Sequence, residues 1–258
     1  MSNDLIKTRK EGRIGWITLN RPEAMNTFTI PFADQLDGAL WAMENDPEVL
    51  VVIVDAAGKH FCTGISLDQF SPKTQREARE FLRRIDAFYH TLAQMKKVTI
   101  ASVHGYAVAN GAGLACACDL TVATETAVFG TTAINVGLIC LGPAATLIRI
   151  LGRKKVLEMV LTGDMLSAAE AMRLGLVNKV VPEAELATAT LELAQKLASK
   201  SPLALQIGKE GLNRLPDLSY DQAVDAMDDL FATLASTEDA VEGVTAFRTK
   251  RKPVWKEQ

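Results

Sequence analysis

Apolar residues follow two rhythms along this chain. Up to Gly142, short continuous apolar runs alternate with stretches of helical spacing; beyond it helical spacing dominates. Residues 14–20 are short, β-rich and end on Asn-Arg-Pro, which predicts a strand and a turn. Phe32, Leu36, Leu40 and Met43 predict a helix over 31–43. Residues 50–54 are a continuous β-branched run bounded by Asp55 and Gly58, as in a strand buried on both faces. A Gly-containing loop covers 56–70, and Phe81, Ile85, Phe88, Tyr89 and Leu92 predict one long amphipathic helix running to about Met95. An apolar strand over 98–103 then leads into a turn carrying Gly105, Gly111 and Gly113, a short Ala-rich helix, Asp119 and a second apolar run. Short helices are predicted at 143–150, 154–161 and 167–172, and a strand at 179–181 that Pro182 ends. Helices follow at 183–199, 202–215, 220–234 and 237–247, with a polar joint near Pro216; Pro202 and Thr237 are fitting start positions. The pattern predicts an α/β core over 1–194 and a helical region over 195–258.

Composition narrows the class. With 258 residues, 48% hydrophobic, 23% charged and a net charge of −3, the chain has ample material for a core. A mildly negative balance argues against a general nucleic-acid surface, and no apolar run is long enough to span a bilayer. The first residues show neither a signal core nor an Arg/Ser-rich amphipathic pattern, so a cytoplasmic protein is expected. Lys250, Arg251, Lys252 and Lys256 form either a solvated tail or a phosphate-binding cluster. Cys62, Cys116, Cys118 and Cys140 form no CxxC pair and have no His at zinc-ligand spacing, which predicts small buried thiols and no metal.

The glycine-rich turn is where chemistry is expected. Small residues at a helix start leave backbone N–H groups free to hold a developing negative charge. Yet residues 107–118 contain no Asp, Glu, Lys, Arg or His. The charge-stabilising device is there without the usual proton-transfer residue.

Several ordered segments together resemble the crotonase superfamily, the enoyl-CoA hydratase/isomerase family. They are ITLNRPEAMN (17–26), GKHFCTGISL (58–67), SVHGYAVANGAGLACACDL (102–120), FGTTAINVGL (129–138), LTGDMLSAAEAMRLGLVNKVVP (161–182) and FRTKRKPVW (247–255). The resemblance implies a spiral of β-β-α units, with 195–258 as a helical region that builds a homotrimer or a hexamer. It implies an acyl-CoA thioester as substrate, with coenzyme A part of that substrate and no separate cofactor. The thioester carbonyl would lie between the backbone N–H groups of Ile65, after Gly64, and Asn110, beside Gly111. Glu23, Ala24 and Met25 would meet the adenine end of the coenzyme, and Cys62, Ile65, Ser66 and Leu67 its thiol arm. Phe247 and Lys250 would reach a coenzyme A of the same or a neighbouring subunit. Val108, Ala133, Leu138 and Leu141 would form an apolar lining. The alternative of a dinucleotide site at Gly111 and Gly113 lacks its third Gly, at Cys116.

The likeness fails at the acids. The two glutamates of the family's hydratases fall on Gly113 and Ala133, the acid of its isomerases on Leu141, and a frequent loop Asp on Ser66. The stretch FGTTAINVGLICLGP and the ending FRTKRKPVW look closest to the family's hydratase-domain-containing members, which also lack both glutamates. Asp68, His60 and Cys140 remain as acid–base or nucleophile candidates, against a solvated carboxylate, an unpaired ring and a packed thiol. Asp119 and His104 are expected to be structural. Three functions stay open: a hydratase or isomerase with relocated acids, a decarboxylase of malonyl-type thioesters, and a non-catalytic acyl-CoA binder. Restoring the acids, with Gly113→Glu and Ala133→Glu, is expected to create or raise hydration of crotonyl-CoA if the scaffold stays intact.

Overall fold

The computed structural model describes residues 4–71 and 73–256. Strands β1 (Ile6–Glu11) and β2 (Ile14–Leu19) form an antiparallel hairpin closed at Gly12, which takes the left-handed conformation (φ +57°). The hydrophobic pattern did not announce β1: five of its six residues are exposed and mostly charged, as suits a sheet edge that must resist further pairing. Helix α1 (Ile30–Asn45) starts at Thr29, whose hydroxyl accepts from Phe32 N, with Pro31 in the first turn. Strand β3 (Val51–Ala56) follows, then α2 (Gln75–Ile85), α3 (Ala87–Gln94), β4 (Val98–Val103), β5 (Tyr106–Val108), α4 (Asn110–Ala117), β6 (Leu120–Thr124) and β7 (Val128–Gly130). The chain continues with α5 (Leu141–Thr162), β8 (Met165–Ser167), α6 (Ala168–Arg173), β9 (Lys179–Val181), α7 (Leu186–Ala198), α8 (Pro202–Arg214), α9 (Tyr220–Ala235) and α10 (Glu238–Arg248).

Six strands form one sheet in the order β1-β2-β3-β4-β6-β9, parallel apart from the hairpin; β5, β7 and β8 form a second, smaller sheet. Chain order alternates between the two: β4 enters the large sheet and β5 the small one before α4, and β6 and β7 repeat this before α5. The segment after β3 does the same in miniature, since Cys62 bridges to Ala107 of β5. This is the expected spiral of β-β-α units. The continuous apolar runs are explained by burial on both faces of the large sheet. Val51, Ile53, Ile100 and Val122 face Leu186, Ala189 and Ala194 of α7, while Val52, Val54, Ala101 and Ala123 join the larger core with α1, α3 and α4.

Two expectations need correction. The long helix ending near Met95 is two helices, broken at Asp86 (φ −97°, ψ 6°), whose backbone leaves the helical region between Ile85 and Ala87. The loop over 56–70 carries two isolated bridges, Cys62 to Ala107 and Phe28 to Ile65, and a 3-10 turn at Leu67–Gln69. The predicted pair of helices at 143–150 and 154–161 is present as the two halves of α5, separated at Gly152, whose backbone is not helical (φ +73°, ψ 163°). Among the described residues no helix is long and apolar enough to cross a membrane.

Candidate active site

The two segments expected to supply N–H donors are brought side by side. Gly64 lies at φ +98°, and a Cβ placed there would stand 2.6 Å from Ala109 Cβ and 3.6 Å from Asn110 N. Phe28 N donates to Gly64 O and Ser66 N donates to Phe28 O, both as in a parallel ladder. In that pattern the N–H of the residue between them, Ile65, points the other way. Asn110 is the first residue of α4, and the first helical bond runs from Gly113 N to Ala109 O, so the Asn110 N–H is one of the helix's free donors. Among the described residues no backbone acceptor meets the N–H of Ile65 or of Asn110 outside helices and strands.

The residue between the segments is strained. Ala109 adopts φ +50°, ψ −124°, a region normally left to glycine, and its N–H is fixed by Gly130 O at 2.8 Å. Ala109→Gly should relieve about 1–3 kcal/mol of strain against about 0.4–1 kcal/mol of unfolded-chain entropy. A melting temperature higher by about 2–4 °C is therefore expected in a thermal scan; a lower one would show that Ala109 is not strained.

The other expected residues divide by position. Glu23, Ala24 and Met25 belong to a 3-10 turn and its cap, and Met25 O accepts from Thr63 N at 3.2 Å, so this turn borders the Gly64 loop. Buried Asn26, beside them, fastens that border by donating to Ala57 O and His60 O and accepting from Arg21 N. Ser66 is buried, while Leu67 and Asp68 are exposed. Val108 and Gly111 are buried against the loop, Ala133 is half-buried, and Leu138 and Leu141 are exposed rather than enclosed. Phe247 is 86% exposed at the end of α10; Lys250 lies just beyond, and neither hydrogen-bonds to the Gly64 or Asn110 segments among the described residues. The basic tail is partly paired: Arg251 with Glu242, and Lys256 with Glu238.

Of the candidate acids, bases and nucleophiles, neither His60 nor Cys140 is activated. His60 stacks on Tyr106 and its Nδ1 accepts from Tyr106 N, with burial, then Lys59 and His104, holding its pKa below the ordinary value. Burial raises the Cys140 thiol, and pushes that of Cys62 up to about 12, so both stay protonated and unreactive. Asp68 sits on the exposed 3-10 turn. Asp119 is structural as expected: it accepts from Thr99 N, Thr99 Oγ1 and the buried Lys209. His104 Nε2 meets Gly58 O at 2.9 Å.

Two residues that the sequence did not mark lie against the first turn of α4. Asn110 Nδ2 donates to Asp86 Oδ1 at 2.8 Å. Burial raises the Asp86 carboxyl above the usual range, opposed by the Asn110 hydrogen bond and by His90. Tyr89 places its hydroxyl where a side chain at Gly113 would begin, with its Cζ 2.8 Å from that Cβ position. The hydroxyl is buried without a hydrogen-bond partner, as is Thr131 Oγ1 at the end of β7. Burial, then the Asp86 charge, holds the phenol well above its ordinary pKa, so it is a neutral donor. The one hint in the sequence was an acid set beside the apolar stripe of Ile85, Phe88, Tyr89 and Leu92.

Comparison with known proteins agrees with this architecture. Residues 9–258 match the family described as enoyl-CoA hydratase/isomerase. A probable mitochondrial enoyl-CoA hydratase of Dictyostelium discoideum is 36% identical, over 96% of this chain and 89% of its own. The crystal structure of an enoyl-CoA hydratase from Mycobacterium smegmatis superposes with a TM-score of 0.94 at 33% identity, covering 97% of this chain and 98% of that one. The human enoyl coenzyme A hydratase domain-containing protein 3 gives a TM-score of 0.93 at 32% identity, over 97% and 100% of the two chains. With the match running through both donor segments and nearly the whole chain, the protein belongs to the enoyl-CoA hydratase/isomerase family of enzymes, the crotonase superfamily.

Proposed function

We propose that this chain binds an acyl-CoA thioester and stabilises its enolate between the backbone N–H groups of Ile65 and Asn110. The observation that carries the reading is the pair of unengaged donors on either side of the contact between Gly64 and Ala109. Backbone donors fixed before reaction need no reorganisation as charge develops on the thioester oxygen, and one such donor is worth about 10²–10³ in turnover. Glu23 to Met25 and Cys62 to Leu67 would line the coenzyme, and the helical region from residue 195 would carry Phe247 and Lys250 to it within a trimer or hexamer. Gly113 and Ala133 offer no acid where the hydratase pair is expected, so hydration by that pair is not part of the reading.

The test is a panel of crotonyl-, 3-enoyl- and methylmalonyl-CoA, read by mass spectrometry, with binding measured by calorimetry. Double-bond migration or gain of water supports enolate chemistry of the hydratase/isomerase kind. Loss of CO₂ would move the reading to decarboxylation, and binding without turnover to a non-catalytic binder. Absence of binding to every member would remove the thioester reading itself.

A further inference from the structure

Resting on the thioester-enolate reading, we propose that Asp86 carries the substrate's α-proton and that the Tyr89 hydroxyl donates a hydrogen bond to the same reacting group. Asp86 closes the joint between α2 and α3, so its carboxyl stands apart from the helical hydrogen-bond ladder. One of its oxygens holds the side chain of Asn110, the residue whose N–H is proposed to hold the thioester oxygen. The other lies 3.3 Å from the Cβ position of Gly142 in the first turn of α5, where the absence of a side chain leaves room beside it. The ring of Tyr89 passes the same glycine, with Cε2 3.5 Å from that position, and its hydroxyl ends over Gly113. Asp86 and Tyr89 thus enter from one side, at adjacent turns, against the helix start that carries Asn110.

The unpartnered hydroxyl is the second, independent observation. A buried hydroxyl without a partner costs about 1–3 kcal/mol, and such groups in a folded protein call for an explanation. A polar atom of a bound substrate would satisfy it. The carboxyl is suited to its part, since a base whose pKa is lifted by burial is a stronger acceptor near neutral pH.

The step balances without a co-reactant. The Asp86 carboxylate takes the proton from the carbon next to the thioester carbonyl. The electron pair of that C–H bond forms the carbon–carbon double bond of the enolate, and the carbonyl π pair moves to the oxygen held by Ile65 and Asn110. In reverse the carbonyl re-forms and the Asp86 carboxyl returns the proton, either to the same carbon or, where a 3,4-double bond is present, to the far end of that bond. A single carboxyl suffices for both outcomes.

The experiment follows deuterium entry at the α-carbon of butanoyl-CoA in D₂O by mass spectrometry, with binding by calorimetry and fold by circular dichroism. The wild-type chain is expected to exchange. Asp86→Asn keeps an oxygen to accept from Asn110 Nδ2, so a merely positioning role would survive it; the expected result is a loss of about 10²–10⁴-fold with binding retained. Tyr89→Phe is expected to slow exchange by about tenfold or more while leaving the melting temperature unchanged or raised. Wild-type exchange rates in Asp86→Asn would overturn the assignment of the proton to Asp86, and unchanged exchange in Tyr89→Phe the role of Tyr89. Binding without exchange in the wild type would overturn the proposal and leave the binding reading standing; absence of binding would remove both.

Discussion

Gly113→Glu combined with Ala133→Glu is expected to yield an unstable protein without hydratase activity, against the expectation from sequence alone. The reason is Tyr89. A Cβ at residue 113 would overlap its hydroxyl oxygen, with Cζ at 2.8 Å and Cε1 at 3.2 Å. The phenol has little freedom to swing aside: its ring is 4.1 Å from that of Phe88 and passes close over Gly142. Forcing a side chain into such a contact costs on the order of 1–3 kcal/mol or more. Adding Tyr89→Ala to the pair empties the space, so the triple variant is expected to recover the fold. It should also hydrate crotonyl-CoA at least about 10²-fold above the double variant, the contribution of a positioned acid or base. Thermal melts and the loss of enoyl absorbance measure both effects. A double variant that melts like the wild type and hydrates crotonyl-CoA would show that Tyr89 yields easily.

Gly111→Ala is expected to damage the site through the backbone. A methyl group there would overlap the carbonyl oxygen of Cys62, with the carbonyl carbon at 2.7 Å and Cys62 Cβ at 2.9 Å. That carbonyl cannot rotate away, because it accepts from Val108 N at 3.0 Å and belongs to the bridge that joins the loop to β5. The loop must therefore move bodily from α4, and with it Ile65 from Asn110. A cost of about 3 kcal/mol in urea unfolding is expected, with about 10²-fold lower turnover on the substrate found in the panel, since donors displaced by about 1 Å lose that much. Gly208→Ala is the control: nothing lies within 4 Å of its Cβ position on α8, so it should gain about 1 kcal/mol. Equal behaviour of the two variants would refute the close-packing account.

Legibility in the sequence followed burial. Strands β2, β3, β4 and β6 announced themselves because both faces are covered, leaving uninterrupted apolar runs. Strand β1 did not, being charged and exposed, and the three-residue strands β5, β7 and β8 did not, whereas the equally short β9 was marked by the Pro182 that ends it. Within the candidate site, the close approach of the Gly64 and Asn110 segments was legible from their glycines. Asp86 and Tyr89 were not. They lie 24 and 21 residues before Asn110, on a stretch whose apolar spacing fitted one uninterrupted helix, and the joint at Asp86 has no Pro or Gly to betray it. The two exposed leucines, Leu138 and Leu141, show the converse: apolar identity alone does not place a residue in an enclosed lining.

The clamp at the far end of α4 bears on how the chain is made. Asp119 is held by Thr99 and by Lys209, and Lys209 is 90 residues later in the chain. A ribosome therefore releases β4, α4 and β6 long before the cation that neutralises Asp119 exists, a delay of on the order of ten seconds at ordinary elongation rates. During that interval the far end of the helix that bears Asn110 is held by Thr99 without its ion pair. A nascent chain stopped short of α8 would hold the Asp119 carboxylate by Thr99 alone, with no cation beside it.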